Sequence, residues 1–335
     1  MSDRSSSPPR PPRAFRCLAV LDVLALPEPA QLVEGLLPAE GLAMIYGQPG
    51  SGKTFLALDL ALTLVSGGGA WLGRKLRRKG RVNYLAAEGA HSLKPRIQAW
   101  ALHYGLLEAE LAGLTVIPDA VQLFDLADVA AFREALQPTA PAVLTVLDTL
   151  SRCSPGVREN LQEDTSLVVH ALELIREVTA GLVLTVHHTP KDREIERGSS
   201  VYRGAMDTML SVIDDDTCRL LKVTKQRDGE LGDPLRFQLV SGGGGLIVTA
   251  GEGVSTGRDP GLTNRQRDVL RALLDVCPKD GEVSAQTWGE AIEMPRRTFN
   301  RGLKILIDRG LVRRVARGLY APTAEADSAL RPRAA

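Results

Sequence analysis

Short runs of apolar residues alternate along the chain with stretches whose apolar positions recur every three to four residues. Strands are predicted at the apolar runs Gly41–Tyr46, Arg81–Ala86, Leu114–Ile117, Ala142–Leu147 and Leu182–Val186. Helical spacing is found at Thr54–Val65, Leu93–His103 and Thr165–Thr179. Because continuous apolar strands separated by helices are typical of buried parallel sheets, we predict an α/β fold whose mainly parallel sheet is covered on both faces.

Beyond Met206 the pattern changes to strands joined by short polar turns. These strands are predicted at Thr208–Ile213, Arg219–Thr224, Leu235–Val240 and Leu246–Thr249. Tight turns join antiparallel neighbours, so we expect an antiparallel extension of the sheet.

A stretch rich in Gly, Ser and Pro, Thr249–Pro260, predicts a linker before a small C-terminal unit. Helices are predicted there at Asn264–Val276, Ser284–Ile292 and Pro295–Arg309, with caps at Thr263 and Ser284, and a hairpin at Leu311–Ala316 and Leu319–Ala321. Three helices followed by a hairpin is the order of a winged helix, a helix-turn-helix variant. The predicted divisions are a disordered arm at 1–24, an α/β domain at 25–249, a linker at 250–261, a winged-helix domain at 262–323 and a disordered tail at 324–335.

The charge of the 335-residue chain is +1, from 41 Lys and Arg against 40 Asp and Glu, but the two signs are segregated. Residues 26–261 carry 23 basic and 29 acidic side chains, whereas residues 262–335 carry 14 and 9. The near-neutral total therefore does not exclude a nucleic-acid partner for the basic C-terminal unit. No apolar stretch is long enough for a bilayer, and the four scattered cysteines predict neither disulfides nor a zinc site. We expect a cytoplasmic protein with no membrane partner.

A glycine-rich motif of the form GxxxxGK[ST] lies between the first predicted strand and the helix after it. Its residues are Gly47, Gln48, Pro49, Gly50, Ser51, Gly52, Lys53 and Thr54, and Phe55 follows. Glycines allow backbone N–H groups to surround phosphates at a helix N-terminus, which favours negative charge. The motif predicts ATP binding, with Lys53 on the β- and γ-phosphates and Thr54 on Mg²⁺. A glycine-rich connection that binds no nucleotide is the alternative.

Two carboxylates follow buried strands and are suited to nucleotide hydrolysis. Asp148 ends the strand AVLTVLD, where a Walker B carboxylate holds the Mg²⁺ site, although an aspartate there can also cap a turn. Glu88 ends RVNYLAAE, where a carboxylate can orient and deprotonate the attacking water, although it can also be an ordinary surface glutamate.

Two further polar pairs end predicted strands. His187 and His188 end LVLTV, where one of them can hydrogen-bond the γ-phosphate, or both can be histidines at the edge of the core. Lys225 and Arg227 follow LLKVT, where they can reach a neighbouring subunit's γ-phosphate as an arginine finger does, or form a solvated hairpin tip.

The motifs GQPGSGKT, YLAAEG, VLTVLDTLSR, LVLTVHHTPK and TKQRDG occur in this order, and with them the chain resembles the RecA/DnaB-type P-loop ATPases. Across residues 28–240 it is most similar to the RepA-like hexameric helicases of plasmids, phages and integrated elements. The resemblance implies a RecA-like core in which Glu88 is the catalytic glutamate, Asp148 the Walker B residue and His188 the γ-phosphate sensor. It also implies that Lys225 and Arg227 act in trans within a homo-oligomer, most simply a hexameric ring.

The same resemblance implies that two loops face a central channel and contact single-stranded DNA, namely 151–164 and 189–203. The basic residues of the second loop are Lys191, Arg193, Arg197 and Arg203. Both loops also carry acidic residues, so we expect the loops of one subunit to bind single-stranded DNA weakly. Tight binding would require the loops of several subunits in a ring to contact the same strand.

Basic residues of the C-terminal unit are the candidates for binding duplex DNA. They are Arg296, Arg297, Arg301 and Lys304 on the third predicted helix, and Arg313 and Arg314 on the hairpin. A recognition helix in the major groove with a basic wing on the backbone is one interpretation, and a protein-interaction module is the other.

Three functions follow from these motifs. The leading hypothesis is an ATP- and Mg²⁺-dependent DNA motor, a helicase that acts in the replication of a plasmid, phage or mobile element. The second is an ATP-switched replication-initiation or regulatory protein, or a recombination ATPase, without unwinding activity. The third is a small-molecule kinase, but the sequence contains no recognisable lid for an acceptor site.

Overall fold

The computed structural model describes residues 17–158, 161–189, 200–215, 218–251, 264–278, 281–292, 294, 296–308, 310–323 and 326. Within these ranges the side chains of residues 90, 200, 215, 218, 264–267, 296–298, 301 and 308 lie outside the description. The chain divides into two compact units, Met1–Ala30 and Gln31–Ala335. The first contains the short helix α1 (Val20–Leu24), at whose start the Asp22 carboxylate accepts a hydrogen bond from the backbone of Ala19 at 3.1 Å.

The elements of the α/β part follow one another in the predicted alternating order. Its strands are β1 (Gln31–Val33), β2 (Leu37–Pro38), β3 (Gly41–Gly47), β4 (Ala70–Trp71), β5 (Arg74–Lys75), β6 (Val82–Ala86), β7 (Leu114–Ile117), β8 (Leu144–Asp148), β9 (Leu182–His188), β10 (Thr208–Asp215), β11 (Cys218–Gln226), β12 (Leu235–Gly242) and β13 (Gly245–Ala250). Its helices are α2 (Lys53–Val65), α3 (Leu93–Tyr104), α4 (Leu126–Leu136), α5 (Leu150–Cys153), α6 (Gln162–Thr179) and α7 (Ser200–Ala205), with 3-10 turns at Ala90–Ser92, Glu108–Leu111 and Gln137–Thr139.

One large sheet organises these elements in the strand order β13-β12-β11-β10-β3-β9-β8-β6-β7. The strands from β10 to β7 pair in parallel. The strands from β10 to β13 pair antiparallel. The predicted α/β fold, with a mainly parallel sheet and an antiparallel extension, is therefore confirmed.

Apolar side chains alternate between the two faces of this sheet. On β3, Ala43 and Ile45 pack in one hydrophobic cluster, and Leu42, Met44 and Tyr46 pack in a second. The first cluster includes the apolar residues of α2 and α3, and we call that side of the sheet the α2 face. The second cluster includes residues of α4, α5 and α6, so helices cover both faces, as predicted.

Helix α2 is fixed to its surroundings by a buried carboxylate. Asp59 is 2% exposed, and its two oxygens accept hydrogen bonds from the indole N–H groups of Trp71 at 2.8 Å and Trp100 at 2.7 Å. A buried carboxylate is tolerated only when donors satisfy it. These bonds connect α2 to β4 and to α3, so they hold the helix that begins at the P-loop.

The C-terminal unit has its own small core. Its elements are α8 (Asn264–Val276), β14 (Val283–Ser284), α9 (Ala285–Glu290), α10 (Arg296–Asp308), β15 (Val312–Ala316) and β16 (Leu319–Pro322), and its sheet has the order β14-β16-β15. Trp288 is fully buried at the centre, where it donates to the Val269 carbonyl at 2.8 Å and packs on Phe299. The predicted cap Ser284 accepts from the Thr287 backbone N–H at 3.0 Å, whereas the predicted cap Thr263 lies outside the described residues.

Several elements were not predicted from the sequence. Helix α4 has apolar residues at helical spacing, and its N-cap Asp125 accepts a hydrogen bond from the Ala127 backbone at 2.9 Å. The pairs β1–β2 and β4–β5 consist of strands of two or three residues, too short to show an alternating pattern.

Among the described residues, no helix is long and apolar enough to cross a membrane.

Replacing Asp59 with alanine should destabilise the fold by about 2–5 kcal/mol, because two buried indole N–H groups would lose their acceptor. Urea unfolding followed by circular dichroism measures this loss. Glu173→Ala removes an exposed carboxylate that pairs with Arg176 at 2.6 Å, and as a control it should cost less than about 0.5 kcal/mol. Equal effects of the two substitutions would contradict the anchoring role of Asp59.

Candidate active site

The P-loop connects β3 to α2 in a conformation that depends on its glycines. Gly50 and Gly52 have φ values of 82° and 99°, which side chains with a Cβ rarely adopt. Lys53 is 3% exposed, and its ammonium donates to the carbonyls of Gly47 at 2.9 Å and Gln48 at 2.7 Å. The lysine is thus held inside the loop, at the positive end of α2.

Asp148 lies against the start of α2. It ends β8 on the same face as Leu144 and Val146, which belong to the α2 cluster. One of its oxygens accepts from the Thr54 hydroxyl at 3.2 Å. The motif threonine and the predicted Walker B aspartate are therefore in direct contact.

A tyrosine that sequence reasoning did not single out completes the environment of Asp148. Tyr84 is fully buried on β6, and its hydroxyl donates to the second oxygen of Asp148 at 2.6 Å. Burial raises the pKa of Asp148, and the hydrogen bonds from Tyr84 and Thr54 oppose that rise. Burial and the neighbouring Asp148 raise the pKa of Tyr84 well above its ordinary value, so the phenol remains a donor. The available signal was the side-chain alternation of β6, which puts Tyr84, four residues before Glu88, on the same face as that carboxylate.

Glu88 and His188 meet at the same edge of the sheet. The Glu88 carboxylate accepts from the Thr149 hydroxyl at 3.0 Å and lies 3.7 Å from Nε2 of His188. Its side chain is 48% exposed, so solvent can reach it. Thr149 is a second residue that the sequence did not indicate, because it stands beside Asp148 as an ordinary strand-end hydroxyl.

The two adjacent histidines face opposite sides of the sheet. His188 continues the α2 face, whereas His187 is buried on the other face, with its ring 6.4 Å from that of Tyr202. Burial lowers the pKa of His187 to about 4. Burial and Lys53 also lower the pKa of His188, against the opposite effect of Glu88. Both rings are therefore neutral at pH 7, and only His188 shares a face with the P-loop residues.

Lys225 and Arg227 lie at the other end of the sheet from the P-loop of their own chain. Arg227 pairs with Asp207 at 2.7 Å, and Asp207 accepts from the Leu42 backbone N–H at 2.9 Å, near the start of β3. From Leu42 the strand continues for five residues to Gly47, where the P-loop begins, about 17 Å away at the rise of a strand. Arg227 is therefore out of reach of the phosphate site of its own chain, and Lys225, which pairs with Met209, donates to carbonyls at the same end of the sheet as Arg227.

The same two cations hold the end of α7. The ammonium of Lys225 donates to the carbonyls of Gly204 at 3.2 Å and Met206 at 2.5 Å, and also to that of Arg203. Arg227 donates to the Ala205 carbonyl at 3.2 Å. Cations at a helix C-terminus satisfy its free carbonyls and its negative end.

The predicted DNA-contacting residues are described in part. Lys191, Arg193 and Arg197 lie outside the described residues, as do the side chains of Arg296, Arg297 and Arg301. Arg203 is exposed on α7 and donates to the Thr224 carbonyl at 3.4 Å. Lys304, Arg313 and Arg314 are exposed on α10 and β15. The first predicted DNA loop, 151–164, overlaps α5 and the start of α6, and in it Arg158 pairs with Asp164 at 3.0 Å.

The residues around the P-loop fit a nucleotide with Mg²⁺. The buried Ser51 hydroxyl, 3% exposed, has no hydrogen-bond partner within the described part of the chain, although it lies inside the loop. Thr54 and Asp148 provide the hydroxyl and carboxylate oxygens that Mg²⁺ prefers. Among the described residues no group of three or more His, Cys, Asp or Glu side chains could hold a metal ion. A P-loop needs none, because phosphates and water complete the metal's coordination.

A family comparison agrees with the P-loop of this site. A family profile described as an AAA domain (AAA_25) matches residues 8–194, more than half of the chain, and the protein belongs to that family of P-loop ATPases. Among solved structures, it is similar to the KaiC-like protein PH0186 from Pyrococcus horikoshii OT3 at 15% identity and a TM-score of 0.44, over 65% of this chain and 93% of that one. No curated protein sequence matches the chain.

The affinity for nucleotide should fall as the pH rises above 8. Burial lowers the pKa of Lys53 to about 8, against the opposite effect of Asp148 and Glu88. Only the protonated ammonium attracts phosphate, so binding of a non-hydrolysable ATP analogue should weaken by close to tenfold per pH unit above that value. Titration calorimetry between pH 7 and pH 9.5 measures this.

Lys53→Arg is the matched control for this pH dependence. Arginine stays charged throughout the range, so the affinity of this variant should vary little with pH, even if it is lower. A wild-type affinity that is constant to pH 9.5 would contradict the charge role given to Lys53.

Proposed function

We propose that the protein is an ATP-hydrolysing, DNA-dependent motor of the RepA/DnaB-like helicase type, acting in the replication of a plasmid, phage or mobile element. One observation carries the proposal. The neighbouring parallel strands β3, β9, β8 and β6 end together, and their ends bring Lys53, His188, Asp148 and Glu88 to the start of α2. These groups can bind phosphate, hold Mg²⁺ and activate water, as ATP hydrolysis requires.

Each residue has a role that its environment supports. Lys53 neutralises phosphate charge, and Thr54 and Asp148 hold Mg²⁺, which when bound shields the phosphate oxygens. Tyr84 is a positioning residue, because its hydroxyl fixes the orientation of the Asp148 carboxylate. His188 is neutral and can hydrogen-bond the γ-phosphate.

Glu88 is the proposed general base. Its carboxylate is accessible to solvent, and Thr149 holds one of its oxygens at 3.0 Å. In the proposed step a carboxylate oxygen of Glu88 accepts a proton from the attacking water as the oxygen of that water bonds to the γ-phosphorus. The bond from the γ-phosphorus to the oxygen that bridges it to the β-phosphate breaks, and that oxygen leaves with ADP.

Lys225 and Arg227 act in this proposal on the nucleotide of a neighbouring subunit. For Arg227 the distance of about 17 Å from the P-loop of its own chain supports this, because a side chain cannot cover it. A site completed by the next subunit implies a homo-oligomer, which we propose to be a hexameric ring. Lys225 and Arg227 also hold the end of α7, whose first residues belong to the proposed channel loop 189–203, so phosphate contact and DNA contact would be mechanically connected.

Two regions would bind DNA. The loops at 151–164 and 189–203 would contact single-stranded DNA inside the ring. The C-terminal unit, which we interpret as a winged helix at 262–323, would bind duplex DNA. The exposure of Lys304, Arg313 and Arg314 supports a phosphate contact, which would be strongly salt-dependent.

An ATP-switched regulator of replication is the second candidate. The observation in its favour is that Arg313 and Arg314 extend from β15 into solvent, in a unit with its own hydrophobic core. In that case duplex binding would be the activity, and the ATPase would only control assembly.

A strand-displacement assay separates the two candidates. Wild-type protein should displace a strand with ATP and Mg²⁺, and Lys53→Ala should not, because it lacks the phosphate-binding ammonium. Duplex binding, measured by fluorescence anisotropy, should survive in Lys53→Ala. It should weaken in Arg313→Ala/Arg314→Ala, and the slope of log affinity against log salt concentration should decrease by about two. No displacement under any condition, together with intact duplex binding, would exclude the motor and leave the regulator.

Mixing two inactive variants tests the shared active site. Arg227→Ala should bind nucleotide without hydrolysing it, and so should Glu88→Gln. In an equal mixture, about a quarter of the interfaces would combine an intact Glu88 with an intact Arg227 from the next subunit, so hydrolysis should return in that proportion. If the mixture remains inactive although the two variants co-assemble, Arg227 does not act in trans.

A further inference from the structure

An arginine outside the recognised motifs lies beside the P-loop. A Cβ placed on Gly52 would lie 3.5 Å from Cδ of Arg219 and 3.5 Å from the side chain of Phe237. Gly52 is the N-cap of α2, and its neighbours are the backbone groups that surround phosphates in a loop of this kind. Side chains of β11 and β12 therefore lie directly beside the P-loop.

The register of the sheet explains why Arg219 reaches this position. On β11, Leu221 and Val223 pack in the α2 cluster. Arg219 is two residues before Leu221 on the same strand, so its side chain lies on the same face. Its partner on β10 is Asp214, two residues beyond Val212, which pairs with Gly47 at the end of β3. Arg219 is thus level with the P-loop and on the face where α2 begins.

The bonding of this guanidinium is incomplete. One terminal nitrogen of Arg219 pairs with Asp214 at 3.1 Å. Its Nε is buried and has no hydrogen-bond partner within the described part of the chain. A cation beside the positive end of a helix, with a buried donor left over, is stable when an anion is present.

We propose that Arg219 is a nucleotide-binding residue that contacts the α- and β-phosphates in the P-loop of its own subunit. Asp214 holds the guanidinium in place through one nitrogen, and the remaining donors are directed to phosphate oxygens. The proposal rests on the proposed function only in requiring that the P-loop bind a nucleoside di- or triphosphate. The cations of the site would then be Lys53 and Arg219 from the same chain and Lys225 and Arg227 from the next.

Calorimetry with ADP and with a non-hydrolysable ATP analogue, each with Mg²⁺, tests the assignment on the full-length protein. Arg219→Ala should weaken both ligands by about 10- to 100-fold, because a charge-assisted hydrogen bond is lost. Arg219→Lys should retain part of the affinity, because it keeps the charge without the fork of donors. The same losses should occur in an Arg227→Ala background, since the contact lies within one subunit.

Lys222→Ala is the matched control. It removes an exposed cation from the same strand, three residues further on and on the opposite face, and should leave both affinities unchanged. Asp214→Asn keeps an oxygen that can accept the hydrogen bond from Arg219 but removes the competing negative charge, so nucleotide affinity should be equal or higher. Thermal unfolding shows whether each variant folds. If Arg219→Ala does not fold, the affinities of Arg219→Lys decide whether Arg219 binds nucleotide.

Each outcome has one meaning. Wild-type affinity in Arg219→Ala, with binding lost in Lys53→Ala, would overturn the assignment and make Arg219 a structural partner of Asp214. A loss with the ATP analogue alone would overturn the placement at the α- and β-phosphates. If the wild type binds neither ligand, the proposed function itself fails.

Discussion

The site depends on one constraint, the parallel alignment of β3 with β9, β8 and β6. Parallel strands end at the same edge, and the two-residue alternation of side chains then decides which residues face α2. Asp148, Glu88 and His188 all satisfy this alternation, so the carboxylates and the imidazole converge on the first turn of a single helix. A slip of one residue in any of these strands would turn its polar group to the other face.

Much of the fold and part of the site could be predicted from the sequence, because the relevant signals are local. The buried strands and the P-loop are contiguous patterns, and the contact between Thr54 and Asp148 follows once both strand ends are placed. Tyr84, Thr149 and Arg219 could not be found in this way, since their roles depend on which strands are neighbours. Tyr84 in particular has the sequence appearance of an ordinary core aromatic. Helix α4, in contrast, has a readable apolar spacing that sequence reasoning passed over.

Lys225 and Arg227 show how placement changes the interpretation of a motif. From the sequence alone they are either an arginine finger or a solvated tip, and the structure gives them a third set of contacts, with Asp207 and the end of α7. A residue that engages a neighbour's phosphate must first exchange these carbonyl and carboxylate partners.

The pairing of Asp59 with two indoles also gives the protein an internal optical probe. The chain has three tryptophans, and two of them donate to a carboxylate on the helix that begins at the P-loop. The third, Trp288, is buried in the C-terminal unit. Indole emission depends on the electric field at the ring, so the ultraviolet fluorescence of the unlabelled protein would sense small displacements of α2. Replacing Trp288 with phenylalanine would leave a signal from the nucleotide-binding part alone.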